Sequence, residues 1–172
     1  MHILELENGI RKKIGGTTFQ GGLARDAELV DRVTYLDYKI DLYHTNYSFV
    51  YYDSFVTDEY MMTSSLTAYY NEEEFVIESL PDGQTQFVSI EYPTEDLMSD
   101  IHLKVNGSGD LGEVVCLLST DYGNSWYQIS PFVDITLPEP ADSFIIGFVF
   151  PAVAGIKISD YGLFIGNLEE EQ

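Results

Sequence analysis

The sequence predicts an all-β fold, an antiparallel β-sandwich of jelly-roll type, preceded by an irregular N-terminal arm and one amphipathic helix. Three observations carry this. From residue 47 onward, short runs alternate apolar and polar residues with a period of two. Clusters of Gly, Pro, Asn and Asp separate those runs at short intervals, as in sandwiches and barrels. Aromatic residues, 13 Tyr and 10 Phe among them, pack well on pleated surfaces and enrich strands. With 45 % hydrophobic residues in 172, the chain has material for one core and an appendage.

In order along the chain, residues 1–22 read as an arm. Two glycine pairs, Gly15-Gly16 and Gly21-Gly22, flank a stretch with no periodicity. Such an arm gains order by docking on a neighbour, or else is a loose terminus. Its one basic run, Arg11-Lys12-Lys13, lies between Ile10 and Ile14, a combination suited to anchoring on a partner. Residues 23–46 read as the helical segment. Leu29, Val33, Leu36, Ile40 and Tyr43 follow one another at steps of 4, 3, 4 and 3, an apolar seam of about two heptads, uninterrupted by Gly or Pro. The seam serves either a bundle between copies or the packing of one helix on its own sandwich. The sandwich is expected over 47–168, with candidate strands at 48–55, 61–68, 74–79, 84–92, 100–106, 113–119, 125–130, 133–137, 144–150 and 156–165. Their turn signals include Pro81-Asp82-Gly83, Asn106-Gly107-Ser108-Gly109, Asp121-Tyr122-Gly123-Asn124 and Pro138-Glu139-Pro140. The tail, 169–172, is Glu-Glu-Glu-Gln and reads as solvated.

Charge is distributed unevenly. The net charge is −21, from 8 basic and 29 acidic residues. Six of each lie in the first forty residues, so that segment is neutral, while the remainder holds 23 acids against Lys104 and Lys157. An acidic surface of this kind repels phosphate backbones, so nucleic acid is not an expected partner. It also keeps crowded copies apart and soluble. The apolar run 144–156 is too short to span a bilayer and contains Pro151, so no membrane is expected either. Acids stand near the start where a secretory signal has bases, so the chain is expected to be made in a cytoplasm.

Enzyme chemistry finds little purchase. Cys116, the lone cysteine, lies in an apolar run and reads as a buried hydrophobe. His2, His44 and His102 are scattered, and no spacing suited to a transition metal or cofactor occurs. Runs such as Glu72-Glu73-Glu74 and Glu95-Asp96 could supply paired carboxylates, but surface acids are abundant in this chain. Asp53, Asp58, Asp100 and Asp110 supply oxygen ligands of the kind Ca²⁺ takes, without loop spacing.

One motif has specificity. Ser119-Thr120-Asp121-Tyr122-Gly123-Asn124-Ser125-Trp126 reads Ser-x-Asp-x-Gly-x-Ser-Trp. The carboxylate of Asp121 can accept from turn amides, Gly123 tolerates a left-handed backbone, and Trp126 can fold back over the hairpin. The pattern resembles the Asp-box of sialidase-type propellers, where it is a structural staple, and is similar to hairpins of bacteriophage virion β-domains. More broadly, Tyr52-Asp53-Ser54-Phe55, the Thr-, Ser- and Tyr-rich strands and the closing 156–164 segment resemble β-sandwich modules of tailed-phage structural proteins. The resemblance implies a non-enzymatic virion part, whether head decoration, fibre or tail accessory. Such a part would be located in the particle, anchored by its N-terminal segment and joined to itself, as a trimer for example, and to other virion proteins. Carbohydrate or receptor binding through aromatics such as Tyr69, Tyr70, Tyr122 and Trp126 is the alternative, and a small glycoside-active enzyme a lesser one.

Overall fold

The computed structural model describes residues 27–62 and 69–167. The arm with its Ile10 to Ile14 cluster, residues 23–26, residues 63–68 and the acidic tail lie outside the described residues. The observed elements are α1 (Ala27–Tyr43), β1 (Phe49–Asp53), β2 (Tyr69–Asn71), β3 (Val76–Glu78), β4 (Thr85–Val88), β5 (Tyr92–Ser108), β6 (Val115–Ser119), β7 (Tyr127–Ile129), β8 (Asp134–Phe150) and β9 (Lys157–Asn167). The class is the expected one, antiparallel β with a helix in front.

The strands run in the order β2-β3-β9-β5-β8-β6-β7, with β1 also on β9 and β4 also on β8. Long β8 serves both halves. Asp134 to Phe144 pairs with β5, whereas Ile145 to Phe150 pairs with β6 and β4. The two halves share one core. Phe87 and Phe148 of the second half meet Tyr161 of β9, whose ring centroid lies 5.3 Å from that of Phe148.

Alternation sets the faces. On β5, Ile101, Leu103 and Val105 point into the core, while His102, Lys104 and Asn106 point to the opposite face. On β9, Tyr161, Leu163 and Ile165 point inward, yet Gly162 and Phe164 on the other face are buried too. The helix covers them. This is why the 161–165 run has no polar alternation: a central strand covered on both faces reads as continuously apolar.

Three expectations from the sequence are corrected by the structure. First, of the two roles open to the Leu29-to-Tyr43 seam, packing on its own sandwich is met only in part, by half-buried Leu29 and Leu36, and α1 docks mainly through a neighbouring face. Tyr35 and Tyr38 are its buried residues, while Val33, Ile40 and Tyr43 remain 46 %, 55 % and 85 % exposed. The reason lies underneath. Gly162 makes a flat seat for the Tyr38 ring, which is so close that a methyl group there would sit 2.4 Å from a ring carbon. The Tyr38 hydroxyl then donates to Asp160 at 2.6 Å, and the Asp31 carboxylate accepts from Ser54 at 2.6 Å. A tyrosine satisfies its ring and its hydroxyl at such a half-wet surface, which leucine cannot do.

Second, 133–137 and 144–150 belong to one strand, and Pro138-Glu139-Pro140 is no turn. Between paired positions Asp100↔Thr136 and Met98↔Ala141, β8 advances five residues while β5 recedes two. The two prolines occupy this bulge, where no ladder donor is required. Third, the 84–92 run divides. β4 ends at Val88, and β5 begins at Tyr92 and extends through 100–106 to Ser108. Strand β2 lacked a sequence expectation of its own. Of the described residues in 61–68, Met61 bridges Ser89 and the Met62 N–H donates to Val88 O at 2.9 Å.

Candidate functional site

The covered outer face of the sheet leaves a groove beside the helix. Its floor is built from strand register. His102 lies opposite Asp134 across the β5–β8 pair and opposite Phe164 across β5–β9, and Asp100 lies opposite Thr136. Side chains facing each other in this way lie within interaction range. One wall is the last turn of α1 and the connector after it, Asp41, His44, Thr45, Asn46 and Tyr47. The groove encloses about 710 Å³. A second hollow of about 490 Å³ adjoins it, lined by Thr34, Asp37 and Ile40 of the helix. Asp41 and Lys104 line both and are joined in an ion pair that bridges the groove.

The polar groups are ordered by one another. The Tyr47 hydroxyl donates to Asp134 Oδ1, and His102 Nδ1 lies 3.0 Å from the same oxygen. Those two contacts, Tyr47 first, hold the Asp134 carboxyl below its ordinary range, so it is anionic at neutral pH. Burial, and then the bond to Asp134, push the Tyr47 hydroxyl upward, so it stays a donor. Thr136 Oγ1 donates to Asp100 Oδ1 at 2.8 Å. Each of Asp41, Asp100 and Asp134 thus engages one oxygen, and among the described residues the other accepts no hydrogen bond. The wall adds to this charge. The last turn of α1 carries no basic residue of its own, so Lys104, paired with Asp41 of that turn, is the cation that meets the negative end of the helix dipole.

The Asp-box-like residues come together as a separate unit at the far end of the molecule. Tyr122 and Gly123 both have positive φ, 62° and 87°, and Asn124 N–H donates to Asp121 O at 3.2 Å. That is a turn of type I′. Asp121 Oδ1 accepts from Ser125 N–H at 2.8 Å and from the Ser119 hydroxyl at 2.9 Å, while Ser119 Oγ accepts from Gly123 N–H at 2.9 Å. The Ser125 contacts lead in holding the Asp121 carboxyl below its usual range. The ring of Trp126 lies against Gly147 of β8, 3.3 Å from where a Cβ would stand, and is 37 % exposed.

Other candidate residues are dispersed. Cys116 is buried among apolar neighbours, which push its thiol up to about 11, far from a nucleophilic thiolate. Asp53 is buried in the core, apart from Asp100 in the groove. Among the described residues no three His, Cys, Asp or Glu stand together to hold a metal ion, and no helix is long and apolar enough to cross a membrane. The sequence does not disclose the groove, since His102 there is one of three scattered histidines. Its signal was the alternation Asp100, His102, Lys104, Asn106, which puts four polar groups on one face. The partners Asp134 and Tyr47 follow only from register.

Comparisons with known proteins add little to this geometry. No protein-family model matches the chain, and no curated protein matches it. A solved structure of FlhE is similar at 9 % identity with a TM-score of 0.35, over 52 % of this chain and 90 % of that one.

Proposed function

We propose that this chain is a non-enzymatic structural module of a multi-copy particle, a tailed-phage virion in the terms of its resemblance, mounted through its N-terminal segment with the acidic sandwich displayed. The observation that supports this best is the helix. It is already fastened to its own sandwich through Tyr35 and Tyr38, and still presents Val33, Ile40 and Tyr43 to solvent. An apolar stripe that its own fold does not consume is material for contact with other chains. The neutral N-terminal segment adjoins it, and the strongly acidic part lies in the strands beyond. Removing residues 1–22 should leave the melting temperature nearly unchanged and abolish incorporation into the parent particle, read by mass spectrometry of purified particles. Full incorporation of the truncated chain would place the mount on the sandwich and overturn the reading. Carbohydrate binding has one observation in its favour, the exposure of Tyr122 and Trp126 on one hairpin. Retention of particle assembly with loss of glycan adhesion in a Tyr122→Ala, Trp126→Ala chain would favour it.

A further inference from the structure

We propose that the groove between the end of α1 and the β5–β8 floor receives the Arg11-Lys12-Lys13 cluster of a second copy of this chain. The inference deepens the reading above and rests on it, since it names where the mounting segment lands when its neighbour is another copy.

The groove asks for cations. Three carboxylates, Asp41, Asp100 and Asp134, line it against the single cation Lys104, which Asp41 already engages. The other oxygens of Asp100 and Asp134 are left without a donor among the described residues, and the negative end of the α1 dipole opens into the same space. Guanidinium and ammonium groups are the donors that carboxylates in such a setting bind most strongly. A second hollow along the helix shares Asp41 and Lys104 with the groove, so two adjoining spaces are open to a short run of side chains. Its flank also offers Ile40, an apolar contact of the kind Ile10 and Ile14 would meet.

The chain has one segment of matching chemistry. Beyond residue 40 it has only Lys104 and Lys157, and Lys157 is paired with Glu74 at 2.7 Å. Arg11-Lys12-Lys13 is its only run of adjacent cations. A second copy is the better source than the same chain. The groove lies at the C-terminal end of α1, and the arm leaves from the other end. Meanwhile Ile40 belongs both to the groove flank and to the exposed seam, so copies meeting at the seam bring each other's arms to the groove.

The test uses two full-length chains. In one, Arg11→Glu, Lys12→Glu and Lys13→Glu make the arm acidic. In the other, Asp100→Lys and Asp134→Lys make the groove basic; both positions are exposed, and melting curves check that the chain folds. Each chain alone should self-associate about tenfold or more weakly than the parent in sedimentation equilibrium, the scale of close interfacial charge pairs. An equimolar mixture should recover association, because each arm then finds a groove of opposite sign. The nearly isosteric Asp100→Asn, Asp134→Asn chain, which adds no charge, should show the same direction of loss. Parent-like association by either charge-reversed chain, or a mixture no stronger than its components, overturns the proposal. If the mixture fails while the chain lacking residues 1–22 is still excluded from the particle, the N-terminal mount stands and this receiving site is wrong.

Discussion

At the scale of single residues, Asp53 is the most consequential side chain. It is 3 % exposed, and one carboxyl oxygen accepts from Phe55 N–H at 2.9 Å, an interaction that accompanies the left-handed Phe55 (φ 57°). Its Oδ2 has no hydrogen-bond partner among the described residues. It lies directly across the β1–β9 pair from buried Tyr161. Burial dominates and raises its pKa to about 7, with the Phe55 amide pulling the other way and Asp31 and Glu59 adding to the rise. The folded state therefore holds this proton when the unfolded chain has released it. The stability it confers is complete below about pH 4 and is lost as pH rises through about 7. Asp53→Asn keeps an acceptor for Phe55 and cannot ionise. Its stability relative to the parent should improve from pH 5 to pH 8, by about 3 kcal/mol, because about two pH units of that window lie below the folded pKa. Urea titrations at both values measure it, and a difference independent of pH would falsify the assignment. At the hairpin, Ser119→Ala removes a buried hydroxyl that serves Gly123 and Asp121, and should cost about 1–3 kcal/mol. Asp121→Ala should loosen the same turn. Trp126, the lone tryptophan, reports the change as a red shift in emission. An unchanged spectrum in both variants would mean that the turn does not position the ring. The hairpin's hydrogen bonds were legible because Ser119, Asp121, Gly123 and Ser125 act on one another within seven positions of sequence, whereas the seat of Trp126 against Gly147 was not. Asp53 was not, because its burial depends on β9 arriving more than a hundred residues later.

At the scale of elements, strands were legible where one face is buried and the other wet, as along Ile101 to Val105, and obscure where both faces are covered or the ladder is interrupted. The bulge in β8 reads locally as a turn, since Pro138 and Pro140 carry the same signal whether a chain reverses or steps aside. The helix was legible as a helix but not in its phase. Its apolar seam was the natural face to bury by hydrophobicity alone, and the structure buries Tyr35 and Tyr38 instead. What decides is Gly162, whose missing side chain on β9 has no meaning until Tyr38 is placed over it. Gly162→Ala should therefore lift the Tyr38 ring, strain its bond to Asp160 and that of Asn106 to the same carboxylate, and cost about 1–3 kcal/mol. Hydrogen exchange should quicken along α1 and stay slow in β5 and β9. Adding Tyr38→Ala removes the clash, so the double variant should be less destabilised than the sum of the two single ones. Strict additivity would show that the ring does not bear on Gly162.

At the scale of the whole molecule, charge and exposed apolar surface oppose each other. Copies carrying −21 repel, and the part beyond residue 40 holds all of that excess. The proposed contact between copies then belongs where bases offset some of the acids and apolar surface is free, and the exposed side of α1, with Arg32 and Lys39 beside Glu28, Asp31, Asp37 and Asp41, is such a place. Val33 and Ile40 stand half in water on a helix that is already fastened, so neither is needed for the fold. Val33→Asp with Ile40→Asp should leave the melting temperature within about 2 °C of the parent, the shift expected of surface changes worth a few tenths of a kcal/mol. Self-association should fall to the limit of detection, because two added charges enter the contact as an already repulsive surface closes. Salt separates this contact from the charged one at the groove. In the chain with the acidic arm, whatever association remains should strengthen as added salt screens repulsion between the sandwiches, with a Debye length falling to about 3 Å at 1 M. In the Val33→Asp, Ile40→Asp chain no salt concentration should restore it. If the aspartate chain associates as the parent does, the seam lies idle and the copies meet elsewhere.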